Sequence, residues 1–296
     1  MSRIEQALEK AVKMRETGSA PAAVEIEVQK PKDGMPVFEV GESIIDISAV
    51  NKHLVCITDP YSTEAEQYKK LRARILKATK NEFRNTIMVT SSDVSEGKTV
   101  TAINLAVSIA KEIDHTVLLA DCDLRNPTIH KYLGLECKYG ISDYLADKVS
   151  LHEIFIKTGI GKLVFLPGGE PPENPAELVS SEKMKRLVQE LKIRYKDRYI
   201  IYDSSPVLVA ADSLSLGSYM DGIVFVIQAA RTSDKTVKEA ISLMKGTNIL
   251  GVVLNNVPHY LAGSAYPYYN RYGYGRENYY KKPKSDDSGN AEEKPN

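Results

Sequence analysis

Short, mainly apolar runs alternate along this chain with longer stretches in which apolar residues recur every three or four positions. Thr86-Ile87-Met88-Val89-Thr90 opens the series, and Ala102, Leu105, Ala106, Ile109 and Ala110 follow at helical spacing. Thr116-Val-Leu-Leu-Ala120, Leu163-Val-Phe-Leu166, Tyr199-Ile-Ile-Tyr202, the run Asp221 to Ile227, and Ile249 to Leu254 read as further strands. Helical patterns fall between them at Gly140 to Asp147, Ala176 to about Tyr195, and Thr232 to Met244. Continuous apolar runs are what strands covered on both faces require. Their alternation with helices predicts an α/β fold with a doubly wound, mainly parallel sheet.

The flanks differ from this core. Residues 1–17 place Ile4, Leu8, Ala11 and Val12 on one side of an amphipathic helix, which either packs on its own domain or docks to a partner or membrane surface. Residues 18–40, with Gly18, Pro21, Pro31, Gly34 and Pro36, form a linker. In residues 41–83, Leu54-Val55-Cys56-Ile57 suggests a short strand broken by Asp59-Pro60. Ser62 then caps a helix from Thr63 to Lys80 whose acids come early and bases late, as the helix dipole favours. Its charges suit either a solvated face or an intersubunit salt-bridge surface. The core spans 84–258. Residues 259–296 are expected to be disordered, because they carry tyrosine, glycine and polar residues without period or aliphatic content. Seven tyrosines lie between Tyr266 and Tyr280, a density that suits either a substrate or a sticky tail.

Composition narrows the options. Lysine plus arginine and aspartate plus glutamate both number 39, so the net charge is zero and gives no electrostatic case for nucleic acid as a partner. The three cysteines are widely spaced without a Cys-x-x-Cys pair, which fits a reducing compartment and small buried thiols rather than a disulfide or metal framework. No apolar run approaches the ~18 residues of a membrane span, so the chain is expected to be soluble.

The chemistry concentrates where apolar runs end. Ser91 to Thr101, reading SSDVSEGKTVT, joins a strand to a helix, the context of a nucleotide phosphate loop. A helix start offers unpaired N–H groups and the positive end of the dipole to phosphate. Gly97 admits close backbone approach, Lys98 reaches the outer phosphates, and the Thr99 hydroxyl can ligate Mg2+. Ser92 stands where the usual pattern has its first glycine. Asp121 and Asp123 close one strand and Asp203 another, at the sheet end where open α/β folds bind ligands. The first pair could equally be a hydrated turn before Pro127.

Four features in this order resemble the bacterial tyrosine autokinases of capsule and exopolysaccharide loci, on the deviant-Walker P-loop NTPase fold of MinD and ParA. They are SSDVSEGKT, LLADCDLRNP, YIIYDSSP and the terminal tyrosine cluster, and the likeness covers about residues 41–280. The opening MSRIEQALEKA resembles the exosortase-associated (PEP-CTERM locus) branch. The resemblance implies an ATP- and Mg2+-dependent protein-tyrosine kinase. It assigns Lys98, Asp121, Asp123 and Asp203 to catalysis, and Thr99, Asp121 and Asp203 to the metal. Ser95, Glu96, Gly97, Lys98, Thr99, Val100, Arg125 and Asn255 would bind the nucleotide, Asn255 at adenine. Tyr266, Tyr268, Tyr269, Tyr272, Tyr274, Tyr279 and Tyr280 would accept phosphate.

Glu66-Gln-Tyr-Lys69-Lys-Leu-Arg72 resembles the family's Glu-x-x-Arg-x-x-Arg oligomerisation motif, with Lys69 replacing the first arginine and its planar fork. Ser204-Ser205 stands where Thr-Pro or Pro-Pro is common, Ser95 where Gly is common, and the extra lysine of MinD is absent at Asp93-Val94. The implied partners are further copies in a ring, a membrane adaptor of the polysaccharide co-polymerase type, and a cognate tyrosine phosphatase. The implied location is the cytoplasmic side of the inner membrane, held there through the adaptor. A MinD/ParA-like ATPase switch for positioning or partitioning, and a nucleotide-binding scaffold without transfer, are the competing classes.

Overall fold

Strand and helix follow from where apolar side chains can be covered. The computed structural model describes residues 41–42, 45–80, 84–194 and 198–258. In chain order the strands are β1 (Gly41–Glu42), β2 (Thr86–Ser91), β3 (Thr116–Asp121), β4 (Ile156–Lys157), β5 (Leu163–Leu166), β6 (Arg198–Asp203), β7 (Gly222–Gln228) and β8 (Ile249–Asn255). They form one sheet in the order β1-β4-β5-β3-β6-β2-β7-β8. Every pairing is parallel except β4 with β5.

The helices are α1 (Val55–Thr58), α2 (Thr63–Thr79), α3 (Lys98–Ala110), α4 (Ile129–Leu133), α5 (Ile141–Leu145), α6 (Pro175–Val179), α7 (Glu182–Arg194), α8 (Asp212–Gly217) and α9 (Asp234–Leu243). They cover the sheet from both sides. Successive strand residues point to opposite faces, and here both faces are apolar. Ile87 and Val89, Val117 and Leu119, Tyr199 and Ile201 meet α1, α2 and α3. Met88, Leu118, Ala120, Ile200, Tyr202 and Phe225 meet α5 to α9. Helix α7 buries Met184, Leu187, Val188 and Leu191, one stripe at helical spacing.

Two expectations fail locally. Leu54 to Ile57 is not a strand: residues 55–58 form the single turn α1. Contacts from α3 decide this, since the Cys56 N–H donates to Asn104 Oδ1 at 2.9 Å and Lys111 holds the Cys56 carbonyl at 2.5 Å. The helix expected from Ala176 to Tyr195 is two, because Ser181 stops one and starts the next. Its hydroxyl donates to the Leu178 carbonyl at 2.7 Å and accepts from Met184 N–H at 3.1 Å. Helix α2 begins where Ser62 was expected to cap it, the Ser62 hydroxyl accepting from Ala65 N–H. Residues 1–17, 18–40 and 259–296, with the acceptor tyrosines, lie outside the described residues.

Candidate active site

The segment between β2 and α3 is shaped by its own side chains. Ser95 takes a left-handed φ of 61° and Gly97 one of 90°. Between them Glu96 turns its buried carboxylate inward. It accepts from the Ser92 hydroxyl at 2.8 Å, from Asp93 N–H at 2.9 Å, and from the Thr232 hydroxyl. The Glu96 carbonyl accepts from Asn255 Nδ2 at 2.9 Å. The loop is thus closed on itself and tied to the ends of β7 and β8. Its last residue opens α3, so Lys98 and Thr99 stand on the first turn, where helix N–H groups lack intrahelical partners.

The carboxylates arrive from the neighbouring strands. Asp121 and Asp203 are direct register partners on β3 and β6, and Val89 of β2 pairs with Asp203 on the other side. Lys98 Nζ lies 2.7 Å from Asp123 Oδ2 and 3.8 Å from Asp203 Oδ2. The Thr99 hydroxyl donates to Asp203 Oδ2 at 2.6 Å. Lys98, Thr99, Asp123 and Asp203 therefore meet in one place, with Asp121 beside Asp203.

Asp121 divides its work. Its Oδ2 accepts the N–H groups of Thr128 and Ile129 at 3.0 Å each, which fixes the turn into α4. Its Oδ1, like Asp203 Oδ1, is buried without a hydrogen-bond partner. Burial pushes Asp121 up to about 8, with the Asp203 charge adding to the rise. Burial also raises Asp203, to about 6, against the pull of Lys98 and the Thr99 hydroxyl. Desolvation alone would lower Lys98, but Asp203 and Asp123 more than reverse it and raise it.

The remaining expected residues are placed less uniformly. Arg125 turns to the buried Asp212, with Nε 2.7 Å and Nη2 3.2 Å from its two oxygens. Asn255 lies against the phosphate loop: its amide holds the Glu96 carbonyl and packs on Gly97. Val100 sits on the first turn of α3, where its carbonyl accepts from Asn104 Nδ2 at 3.0 Å. On α2, Glu66 and Lys69 pair at 3.2 Å. Arg72 is engaged within its own chain, donating to the Ser108 carbonyl in the last turn of α3 at 2.8 Å and pairing with Glu112, just past that helix, at 2.8 Å. Sequence reasoning missed Ser205, Asp212 and Thr232. Only the unusual Ser204-Ser205 after Asp203 could have drawn notice to the first; nothing local marks the other two.

A Lys-Thr pair on a helix start, facing acids from two adjacent parallel strands, defines a nucleotide-binding α/β protein of the P-loop class. The CobQ/CobB/MinD/ParA nucleotide-binding domain matches residues 87–264, more than half the chain. Tyrosine-protein kinase YwqD of Bacillus subtilis is 36% identical over 211 residues, covering 70% of this chain and 87% of that protein. Among solved structures, the chimerical protein CapA2B2 is similar at TM-score 0.66 and 29% identity, over 76% of this chain and 96% of the other. The kinase domain of the Escherichia coli tyrosine kinase ETK is similar at TM-score 0.65 and 28% identity, over 69% and 80%. The chain belongs to the bacterial tyrosine kinases built on this nucleotide-binding domain, and it is a protein-tyrosine kinase. Among the described residues, no helix is long and apolar enough to cross a membrane.

Proposed function

We propose that the enzyme transfers the γ-phosphoryl group of ATP to its own tyrosines at 266–280, one subunit presenting its tail to the site of a neighbour. We further propose that this modification regulates polymerisation and export of an exopolysaccharide or capsule. The observation that carries the reading is the meeting of Lys98, Thr99, Asp123 and Asp203 at the carboxyl ends of β2, β3 and β6. Phosphoryl transfer is catalysed mainly by positioning and charge neutralisation, and these are the groups that supply both. In this reading the first turn of α3 and Lys98 bind the phosphates, Gly97 allows their close approach, and Asn255 borders adenine. A tyrosine hydroxyl, with a pKa of about 10, needs an acceptor for its proton as it attacks, and Asp123 is that acceptor.

The donor set fits Mg2+. Asp121 and Asp203 each keep one buried carboxylate oxygen without a partner, on paired positions of β3 and β6, beside the Thr99 hydroxyl. Two carboxylates with a hydroxyl, completed by phosphate and water, suit this hard cation better than a closed protein cage. Among the described residues no group of three or more His, Cys, Asp or Glu forms such a cage. Thr99, Asp121 and Asp203 would hold the ion, and bound there it would neutralise charge on the transferring phosphates.

Assembly into a ring through α2, recruitment by a co-polymerase-type adaptor at the inner membrane, and reversal by a tyrosine phosphatase complete the proposal, supported by the family resemblance. Each phosphotyrosine brings roughly −1.5 to −2 charges, so a modified tail would be repelled by the acidic site and released. Intact mass after incubation with ATP and Mg2+ tests the reading. Repeated additions of about 80 Da, one per phosphoryl group, should appear and vanish when residues 260–296 are deleted. ATP consumption with unchanged mass would instead point to a switch of the MinD/ParA kind, which the domain match also accommodates.

A further inference from the structure

We infer that Ser205 is a positioning residue for phosphoryl transfer, acting through Asp123; this rests on the reading of Asp123 as the proton acceptor. Ser205 is 1% exposed, two residues beyond the end of β6. Its hydroxyl donates to Asp123 Oδ1 at 2.8 Å, while Lys98 Nζ donates to Oδ2 at 2.7 Å. The carboxylate is therefore gripped at both oxygens, but by unequal partners.

Lys98 is the adjustable partner. It ends a four-carbon stem, lies within 3.2 Å of the Thr99 hydroxyl as well, and has work to do at the phosphates. Ser205 has no such freedom. Its carbonyl accepts from the Thr90 hydroxyl at 2.9 Å, Ser204 N–H reaches the Val89 carbonyl at 3.2 Å, and Val207 N–H reaches the Ser91 carbonyl at 2.9 Å. Leu208 N–H adds a bond to the Ser92 carbonyl at 3.1 Å. The hydroxyl is thus stitched to the strand that leads into the phosphate loop.

The consequence is directional. With Oδ1 held by a fixed donor, Oδ2 is the oxygen presented to an incoming nucleophile once Lys98 engages phosphate. The tyrosine proton passes to Oδ2 as the phenolic oxygen bonds to the γ-phosphorus. The bond from that phosphorus to the β–γ bridging oxygen breaks, ADP leaves with the electron pair, and the proton is later lost to solvent. Without Ser205 the carboxylate is free to rotate about its bond to Cβ, and the acceptor oxygen loses its aim.

Steady-state transfer from ATP to an added tyrosine peptide tests this in the full chain, alongside thermal melts. Ser205→Ala should lower kcat about 10- to 100-fold, the size of one hydrogen bond to a charged group, with KM for ATP within about twofold. Ser205→Thr, which keeps the hydroxyl, should recover most of the rate. Unchanged kcat in Ser205→Ala overturns the inference. So does an equal loss in Ser205→Thr, or a loss matched by a rise in KM, since either marks a merely structural role. Asp123→Asn separates the two levels. If it retains full transfer, the acceptor reading falls; if it is inactive while Ser205→Ala is normal, only the role of Ser205 falls.

Discussion

Replacing Gly97 by alanine probes the fit between the phosphate loop and β8. Gly97 sits at a φ of 90°, and a Cβ built on it would lie 2.0 Å from Asn255 Nδ2 and 3.1 Å from Asn255 Cγ. Two costs follow. The left-handed backbone disfavours any residue with a Cβ by about 1–2 kcal/mol. The overlap is relieved by rotating the Asn255 amide, which gives up its 2.9 Å bond to the Glu96 carbonyl. Such a bond contributes about 0.5–1.5 kcal/mol. Gly97→Ala should therefore destabilise the protein by about 2–3 kcal/mol in nucleotide-free buffer.

The cost should divide between backbone and side chain. Asn255→Ala removes the hydrogen bond in advance, so in that background Gly97→Ala should show only its backbone term. The double mutant should fall short of the summed single losses by about 1 kcal/mol, beyond the ~0.5 kcal/mol within which independent sites add. Urea denaturation of all four proteins, with comparable m-values, measures it. Strict additivity would refute the steric coupling.

Ser95→Gly should stabilise by about 0.5–1 kcal/mol, the left-handed strain at φ 61° being partly offset by the entropy of a new glycine; an unmoved urea midpoint would contradict it. Arg72→Ala should cost about 1–3 kcal/mol by breaking the charged contact to the Ser108 carbonyl and the Glu112 pair, and unchanged stability would show that α2 does not depend on this anchor. Asp121 and Asp203 have folded pKa values raised to about 8 and about 6, above the unfolded value of about 3.9. The folded state thus binds more protons between these limits, and stability should fall as pH rises from about 4 through 8. Thermal melts across pH 5 to 9 should show this decline, and Asp121→Asn should flatten it; an unaltered slope in that variant would remove Asp121 as its source.

The central strands were legible because each is apolar on both faces, a pattern that survives without knowledge of neighbours. The phosphate loop was legible for a related reason: its chemistry is local, set by consecutive residues at one strand-to-helix junction. What escaped was set by distant contacts. A four-residue apolar run is equally compatible with strand and helix, and for Val55–Thr58 the choice rests with Asn104 and Lys111, half a hundred positions away. Ser181 interrupts a helical pattern by capping in both directions, which its bare sequence neighbourhood does not announce. Arg125 carried an assignment to nucleotide while its partner, Asp212, lies 87 residues further on. Buried hydroxyls such as Ser205 and Thr232 leave no periodic trace, so their bonds to Asp123 and Glu96 emerge only in three dimensions.

Asn255 ends an edge strand, yet its amide rests on the phosphate loop, and the chain bends away at Asn256 with a φ of 51°. Residues 256–258 therefore leave the sheet one side chain away from Gly97. A load applied there, whether a bulky fusion, a surface linkage or a pulling probe, acts on a short lever against the nucleotide cradle. Immobilisation and labelling schemes that avoid the carboxyl-terminal side should leave that cradle undisturbed.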